Sequence, residues 1–189
     1  VHQIEHHLSH LASAYLVCPF EEAVAVPVDG FGDFASAAWG AGYGDRLSLD
    51  GKVLFPHSLG IFYMAMTQYL GFPYWGDEYK VMGLAPYGRA DFLDEMRNLV
   101  RLHQDGTFEL DLSYFRHHKQ KIQQWPGSAP HVDRVFSDRL EQLLGPARTK
   151  TQELTQRHKD IARSVQAMYE EAYFNLLNAL HRRYGLNAI

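Results

Sequence analysis

The sequence has little cysteine, no long apolar run and no surplus of positive charge. Its one cysteine, Cys18, excludes an intramolecular disulfide framework and favours a reducing, cytoplasmic location. No apolar stretch approaches the roughly 20 residues that a membrane-spanning helix needs, so we expect no membrane segment. The formal net charge of -4 at pH 7 argues against a nucleic-acid partner, because nucleic-acid-binding proteins usually present a concentrated basic surface.

Apolar residues make up 46% of the 189 residues, so the chain can bury a core as one domain or most of one. Short apolar runs alternate with segments of helical periodicity. This pattern predicts an α/β class, more narrowly an α+β arrangement of a mixed sheet with helices. Val1 stands where an initiator Met would be, and Ile189 follows soon after Gly185 has closed a helix. We therefore expect a piece of a larger protein.

Local patterns place the main elements. Apolar residues at helical spacing predict helices, and short apolar runs next to turn residues predict strands and hairpins. The predicted helices are His6–Val17, Ser58–Leu70 and Thr151–Tyr184; the predicted strands are Ala23–Val28 and Phe34–Gly42; the predicted hairpins are Leu47–Leu54, turning at Asp50-Gly51, and the segment around Asp105-Gly106.

Closely spaced histidines open the first predicted helix. His6 and His10 are four residues apart, so their side chains project from one face and lie close enough to share an ion. His2 and His6 have the same spacing, and the sequence alone does not decide between the two pairs. Glu5 precedes the histidines, so the HExxH arrangement of zinc proteases is absent. Ordinary surface histidines would give the same pattern.

Asp29 strengthens the case for a metal, because it ends a predicted buried strand, where a carboxylate is costly unless it is paired or bound to a cation. Two histidines and one carboxylate leave open coordination positions that suit iron(II), with zinc or manganese as alternatives. Asp29 also begins a predicted turn that ends at Asp33. Its Gly30 and Gly32 permit positive φ angles and would offer backbone N–H groups to a phosphate.

Four separated segments resemble the carbamoyltransferases of the nodulation and antibiotic-tailoring type. They are EHHLSHLASAYLVCPFEEAVAVPVDGFGDFASAAWG, PHSLGIFYMAMTQYLGF, EYKVMGLAPYG and HKDIARSVQ, in that order along nearly the whole chain. The resemblance implies a Kae1-like domain with the duplicated actin/hexokinase/Hsp70 type of ATPase fold. Residues 1–189 would be the end of its first lobe and most of its second, with an insertion near 89–150.

The resemblance also implies an activity. Family members take carbamoyl phosphate and ATP, form a carbamoyl-adenylate on a YrdC-like domain, and transfer the carbamoyl group to a hydroxyl of a small-molecule acceptor such as a sugar, a nodulation factor or an antibiotic. The YrdC-like domain would be a C-terminal partner that this sequence lacks. We therefore expect the segment alone to be inactive. The long last helix could support a homodimer.

The site residues follow from the matched motifs. His6 and His10 match the metal-binding histidines, Asp29 matches a ligand carboxylate, and the metal of such proteins looks like iron. The segment Asp29–Asp33, with Gly30 and Gly32, matches a phosphate-binding loop. Two further residues could take part: His7 as a base or substrate contact, against a surface role, and Lys80 in steadying a phosphate, against a purely structural role.

Two other functions fit part of this pattern. A Kae1-type threonylcarbamoyl transferase acting on tRNA would use the same fold, although the net charge of -4 argues against an RNA substrate. A non-catalytic module could use a metal simply to attach a helix to a sheet. Loss of transfer activity on removal of the histidines would favour a catalytic metal over this structural one.

Overall fold

A central antiparallel strand organises the N-terminal part of the structure, a computed structural model that describes residues 2–124 and 130–189. The first elements are helix α1 (His6–Tyr15) and strands β1 (Glu22–Ala25), β2 (Val28–Gly32), β3 (Ala35–Tyr43), β4 (Arg46–Leu47) and β5 (Gly51–Leu54). β1 and β2 follow one edge of β3, and β4 and β5 follow the other. Pro27 separates β1 from β2 because it has no N–H to donate, although its carbonyl accepts from Ala38 N at 3.1 Å.

The predicted hairpin at Leu47–Leu54 is wrong. β4 and β5 are successive segments along the same edge of β3, and Asp50 N donates to Trp39 O across 2.9 Å between them. Gly51 belongs to β5, where the Trp39 ring occupies the space that a Cβ atom would need, 2.2 Å away. The Asp-Gly pair has the composition of a tight turn, but pairing with β3 decides the conformation.

The predicted turn at Asp29–Asp33 is also displaced. Residues Val28–Gly32 form β2, and the turn into β3 is made by Asp33 and Phe34, whose φ angles are 47° and 62°. The expectation that Gly30 and Gly32 supply the positive φ angles is therefore wrong. Positive φ is unusual for a residue as bulky as phenylalanine.

The remaining elements are mostly helical. They are α2 (Leu59–Tyr69), α3 (Glu78–Leu84), a 3-10 turn (Ala85–Tyr87), α4 (Leu93–Leu99), β6 (Val100–Leu102), β7 (Phe108–Leu110), a 3-10 turn (Leu112–Tyr114), β8 (Gln123–Gln124), β9 (His131–Val132), α5 (Asp138–Leu144) and α6 (Gln156–Tyr184). The predicted helix at Ser58–Leu70 and the β6–β7 hairpin, with Gly106 at φ 93°, are confirmed. The predicted last helix is confirmed with a later start.

The chain divides into two compact units. The first contains the described residues up to Gly60 together with Leu102–Glu109 and Ala172–Ile189, and the second contains the described residues of Ile61–Arg101 and Leu110–Glu171. The structure is thus a mixed α+β arrangement of helices and small antiparallel sheets, as predicted. The lobe assignment and the insertion near 89–150 stay predictions, and residues 125–129 of that insertion lie outside the described residues.

Packing in the first unit fixes α1 on the sheet. Leu11 and Tyr15 form a buried cluster with Ala23 and Ala25 of β1. The Tyr15 hydroxyl reaches the carbonyls of Glu21 and Gly44, at 2.9 and 3.1 Å. One face of α1 is therefore committed to the core, which leaves its other residues free to carry a site.

The long helix α6 buries one stripe of side chains, as its periodicity predicts. The stripe is almost fully excluded from solvent, at 0–2% exposure, and consists of Ile161, Val165, Met168, Ala172, Leu176 and Leu180. Throughout the described part of the chain, each helix is too short or too polar to cross a lipid bilayer.

Candidate metal centre

Three side-chain donors converge at the start of α1. His6 Nε2 lies 3.0 Å from Asp29 Oδ2 and 3.0 Å from His10 Nε2, and His10 Nε2 lies 3.6 Å from the same carboxylate oxygen. They form the one group of three potential metal-ligating residues found in the described residues, with all donor atoms within 4.8 Å of one another. His2 lies outside this group, so the helical spacing brings together His6 and His10 rather than His2 and His6.

The donor spacing fits a single shared ion. Ligand atoms bonded at about 2.1 Å to one ion are about 3.0 Å apart at a right angle and about 3.4 Å apart at the tetrahedral angle. The three separations of 3.0, 3.0 and 3.6 Å fall in or close to this range. Two histidines and a carboxylate on one side of an ion also form a donor set known for non-haem iron(II).

Hydrogen bonding alone does not satisfy this cluster. An imidazole nitrogen carries either a proton or a lone pair, and a single N–H points at one acceptor. His6 Nε2 faces both Asp29 Oδ2 and His10 Nε2 at 3.0 Å. If this nitrogen carries a proton it donates to Asp29 and cannot accept from His10, and if it carries a lone pair the reverse holds, so the two contacts are not both good hydrogen bonds. A cation would accept the lone pairs of all three donors. The residues therefore fit a bound metal.

Asp29 is held in its charged form. Burial by itself raises the pKa of this carboxyl group, but hydrogen bonds from His6 and from Gly30 N, together with the electrostatic influence of the neighbouring His6 and His10, outweigh burial and leave the pKa below its ordinary value. Gly30 N donates to Asp29 Oδ1 at 2.6 Å, which leaves Oδ2 directed at the histidines. An ionised, oriented carboxylate is the form that binds a cation.

The neighbouring strand determines the position of His6. A Cβ atom on Gly32 would lie 2.1 Å from His6 Cδ2 and 2.3 Å from His6 Nε2, so the imidazole ring occupies the space that this glycine leaves open. Asp33 Oδ2 accepts a hydrogen bond from the His6 backbone N at 2.9 Å. The sequence prediction placed Gly32 and Asp33 in a phosphate loop, whereas the structure shows both in contact with the histidine.

His7 occupies a different environment. Its side chain is completely buried, and its Nε2 lies 3.0 Å from Ala35 O on β3, so Nε2 carries the proton and donates to the carbonyl. The surface role considered from the sequence is therefore wrong. A catalytic role for His7 stays a prediction.

The N-terminus of α1 is capped by a residue that sequence reasoning passed over. Glu5 Oε2 accepts from Leu8 N at 2.6 Å, and Glu5 Oε1 accepts from Lys52 Nζ of β5 at 2.6 Å. Burial raises the pKa of Glu5, but Lys52 and the first-turn amides lower it more, so the net shift is downward. A negative charge beside the first turn of a helix is a known stabilising signal, whereas no local signal marks Lys52.

Lys80 belongs to the second unit. Its Nζ lies 2.6 Å from Asp77 Oδ1, and this hydrogen bond raises the pKa of Lys80. The predicted phosphate contact of Lys80 stays a prediction, as does the phosphate role of Asp29–Asp33.

Comparison with known proteins gives the family. A family model described as the carbamoyltransferase N-terminus matches residues 1–189. The chain belongs to this carbamoyltransferase family. Among its relatives are the nodulation proteins NolNO of Sinorhizobium fredii, 32% identical over 175 residues, and NolO of Bradyrhizobium diazoefficiens, 31% identical over 189 residues. The resemblance stated from the sequence motifs is confirmed.

The relatives of this carbamoyltransferase N-terminus are much longer than the chain. An uncharacterized protein of Synechocystis sp. is 39% identical over 184 residues, which are 96% of this chain and 28% of that protein. The matches to NolNO and NolO cover 92% and 98% of this chain but 22% and 30% of those proteins. The chain therefore spans less than a third of the length of these relatives.

Proposed function

We propose that the protein is a carbamoyltransferase whose metal centre is formed by His6, His10 and Asp29. The observation that carries this proposal is the convergence of three donor atoms within 4.8 Å, in a chain that matches the carbamoyltransferase N-terminus along its whole length. The ion would be iron(II) in the first place, or another divalent metal, because open positions beside two histidines and a carboxylate suit that ion.

The ion, when bound, would supply Lewis-acid stabilisation to a carbonyl or phosphoryl oxygen of the carbamoyl donor. The chain's own residues prepare that place. Asp29 stays ionised, Gly32 leaves room for the His6 ring, and Asp33 holds the His6 backbone. The side chains of His6, His10 and Asp29 are 38, 47 and 39% exposed, so substrate can approach from solvent.

The substrates we propose are carbamoyl phosphate, ATP and a hydroxylated small molecule. ATP would activate the carbamoyl group as carbamoyl-adenylate on a C-terminal YrdC-like domain, and this chain would form part of a Kae1-like, actin/hexokinase/Hsp70-type transferase domain. The similarity to two nodulation proteins supports an acceptor of the sugar or nodulation-factor type. Gly30, Asp33 and Lys80 are proposed phosphate contacts, and a cytoplasmic homodimer is the proposed form.

The proposal is tested by replacing His6 and His10 with alanine in the complete protein. Carbamoyl transfer is measured with carbamoyl phosphate, ATP and a panel of sugar and antibiotic alcohols. We expect the transfer rate to fall at least 100-fold, since removing an electrostatic contributor to a transition state costs about 10²–10³. His131→Ala is the matched control, because His131 is an exposed histidine paired with Asp133 in the second unit.

Two outcomes would contradict the proposal. A normal transfer rate in the double variant, together with a lower melting temperature, would make the metal structural. Absence of carbamoyl transfer by the wild-type protein with every acceptor, while threonylcarbamoyl transfer to tRNA proceeds, would replace the proposed reaction by the tRNA reaction.

A further inference from the structure

Three consecutive residues tie the start of α1 to three different parts of the sheet. The Glu5 carboxylate accepts a hydrogen bond from Lys52 of β5, and the backbone N of His6 donates one to Asp33 in the β2–β3 turn. His7 donates a hydrogen bond to Ala35 O of β3. The two histidines of the proposed metal centre lie on the helix that these bonds fix. The position of their donor atoms therefore depends on groups that do not touch the ion.

The bond between Glu5 and Lys52 is the one that joins side chains far apart in sequence. Lys52 Nζ lies 2.6 Å from Glu5 Oε1, and the two side chains are only 26% and 29% exposed. Partial burial reduces the solvent screening that makes most surface ion pairs weak. Glu5 uses its second oxygen to accept from Leu8 N, so the lysine fixes the carboxylate that caps the start of α1.

The Glu5–Lys52 pair is next in the chain to the first histidine. A helix moves as a rigid body over its first turns, so a shift at residue 5 carries His6 and His10 with it. Asp29 lies on β2 and does not move with α1. Loss of the Glu5–Lys52 ion pair would consequently change the distances from Asp29 Oδ2 to His6 Nε2 and His10 Nε2, which are 3.0 and 3.6 Å.

We propose that Lys52 is a positioning residue of the metal centre, acting through Glu5. The proposal rests on the metal centre proposed above and extends it to a residue that touches none of the three donors. Groups that orient metal ligands from outside the coordination sphere typically change metal affinity by about 10–100-fold when removed. For a partly exposed ion pair we expect the lower end, about 10-fold.

The experiment uses Co²⁺ as a spectroscopic probe in the complete, metal-free protein. Binding is followed by the visible absorption of the bound ion, and the melting temperature is measured without metal. Lys52→Met removes the charge but keeps most of the length of the unbranched side chain, and it should weaken Co²⁺ binding about 10-fold and change the absorption band. Lys52→Arg can still pair with Glu5 and should restore binding to within about twofold.

A second variant separates the ion pair from general damage to the fold. Glu5→Gln keeps an oxygen for Leu8 N but loses its charge, and it should reproduce the effect of Lys52→Met. The double variant should bind Co²⁺ no more weakly than either single variant, because the two residues act as one unit. Arg97→Met is the matched control: it removes the ion pairs of Arg97 with Asp94 and Glu171, both at 2.9 Å in the second unit, and Co²⁺ affinity should stay unchanged.

The outcomes distinguish this proposal from the one it rests on. Normal Co²⁺ binding in Lys52→Met, or binding in Lys52→Arg as weak as in Lys52→Met, would overturn the positioning role and leave the metal centre intact. An equal loss of affinity in Arg97→Met would also overturn the positioning role, because the loss would then follow stability. Failure of the wild-type protein to bind Co²⁺ would overturn the metal centre and this proposal with it.

Discussion

Gly32 shows how one missing side chain can shape a site. The His6 ring fills the space that a Cβ atom at position 32 would take, with ring atoms 2.1–2.3 Å from that position. Separations this short are well inside van der Waals contact, so any other residue would displace the ring. The glycine at this position is required by close packing and not by a positive φ angle.

We therefore expect Gly32→Ala to weaken metal binding much more than it weakens the fold. The His6 ring is 38% exposed and can swing toward solvent, so the free energy of unfolding should fall by only about 1 kcal/mol, the low end for inserting a methyl group into packed surroundings. Metal affinity should fall at least about 10-fold, because a ligand has moved. Calorimetric titration and thermal unfolding measure the two effects separately.

Gly83→Ala provides the control for this substitution. It makes the same chemical change in α3, where a Cβ atom would meet nothing within 4 Å, and metal affinity should stay unchanged. Equal metal affinity in Gly32→Ala and the wild-type protein would contradict the placement of the His6 ring over Gly32.

At the scale of elements, the first turn of α6 carries a titratable cap. His158 Nδ1 accepts a hydrogen bond from Thr155 N at 3.0 Å. Burial, followed by the charges of Arg157 and Arg148, lowers the pKa of His158 below its ordinary value of 6.5. Protonation would place a proton on Nδ1 and turn this acceptor into a donor that faces another donor.

We expect this cap to make the protein less stable in mild acid. A histidine whose pKa is lower in the folded state contributes stability that is present above pH 6.5 and is lost as the pH falls below that value, because the unfolded chain then binds more protons. His158→Gln keeps an acceptor at the third helical position and does not titrate. Its melting temperature should therefore fall less between pH 7.5 and 5.5 than that of the wild-type protein.

Burial also lowers the pKa of His57 and His118, so the wild-type protein loses stability in acid for more than one reason. The comparison between the two proteins isolates His158. An equal fall of the melting temperature in both proteins between pH 7.5 and 5.5 would show that the cap at Thr155 does not depend on the protonation of His158.

Elements also show what the sequence could and could not predict. Periodicity identified α1, α2 and α6, because a helix that packs on a core must repeat its apolar residues every three or four positions. Turn composition misplaced two turns, at Asp50-Gly51 and at Asp29–Asp33. In both places pairing with β3, a contact distant in sequence, outweighed the local preference of the glycine-containing segment.

The candidate site also contains features that the sequence could predict and features that it could not. The i,i+4 spacing left two histidine pairs open, and the resemblance to the family, not the spacing, favoured His6 and His10. Asp29 was singled out at the end of a predicted strand, whereas it lies inside β2. The burial of His7 could not be read from its position, since the spacing says only that it points away from His6. Lys52 was missed because it lies 47 residues from Glu5, and no local pattern records such a contact.

For the molecule as a whole, all three donors of the proposed metal centre belong to the first compact unit. The proposed metal site therefore draws its three donors from α1 and β2 of that one unit. The family match covers both units, while the chain spans less than a third of its relatives' length. Catalysis is accordingly proposed for the complete protein, and metal binding for the unit described here.

The metal content of the purified protein shows whether His6, His10 and Asp29 bind an ion. The complete wild-type protein, purified without oxygen and supplied with ferrous iron, should contain about one divalent metal ion per chain by elemental analysis, since three ligands from one chain bind one ion. The variant with His6 and His10 replaced by alanine should contain almost none while keeping its fold. A wild-type protein that retains no stoichiometric ion under these conditions would show that His6, His10 and Asp29 do not form a metal centre.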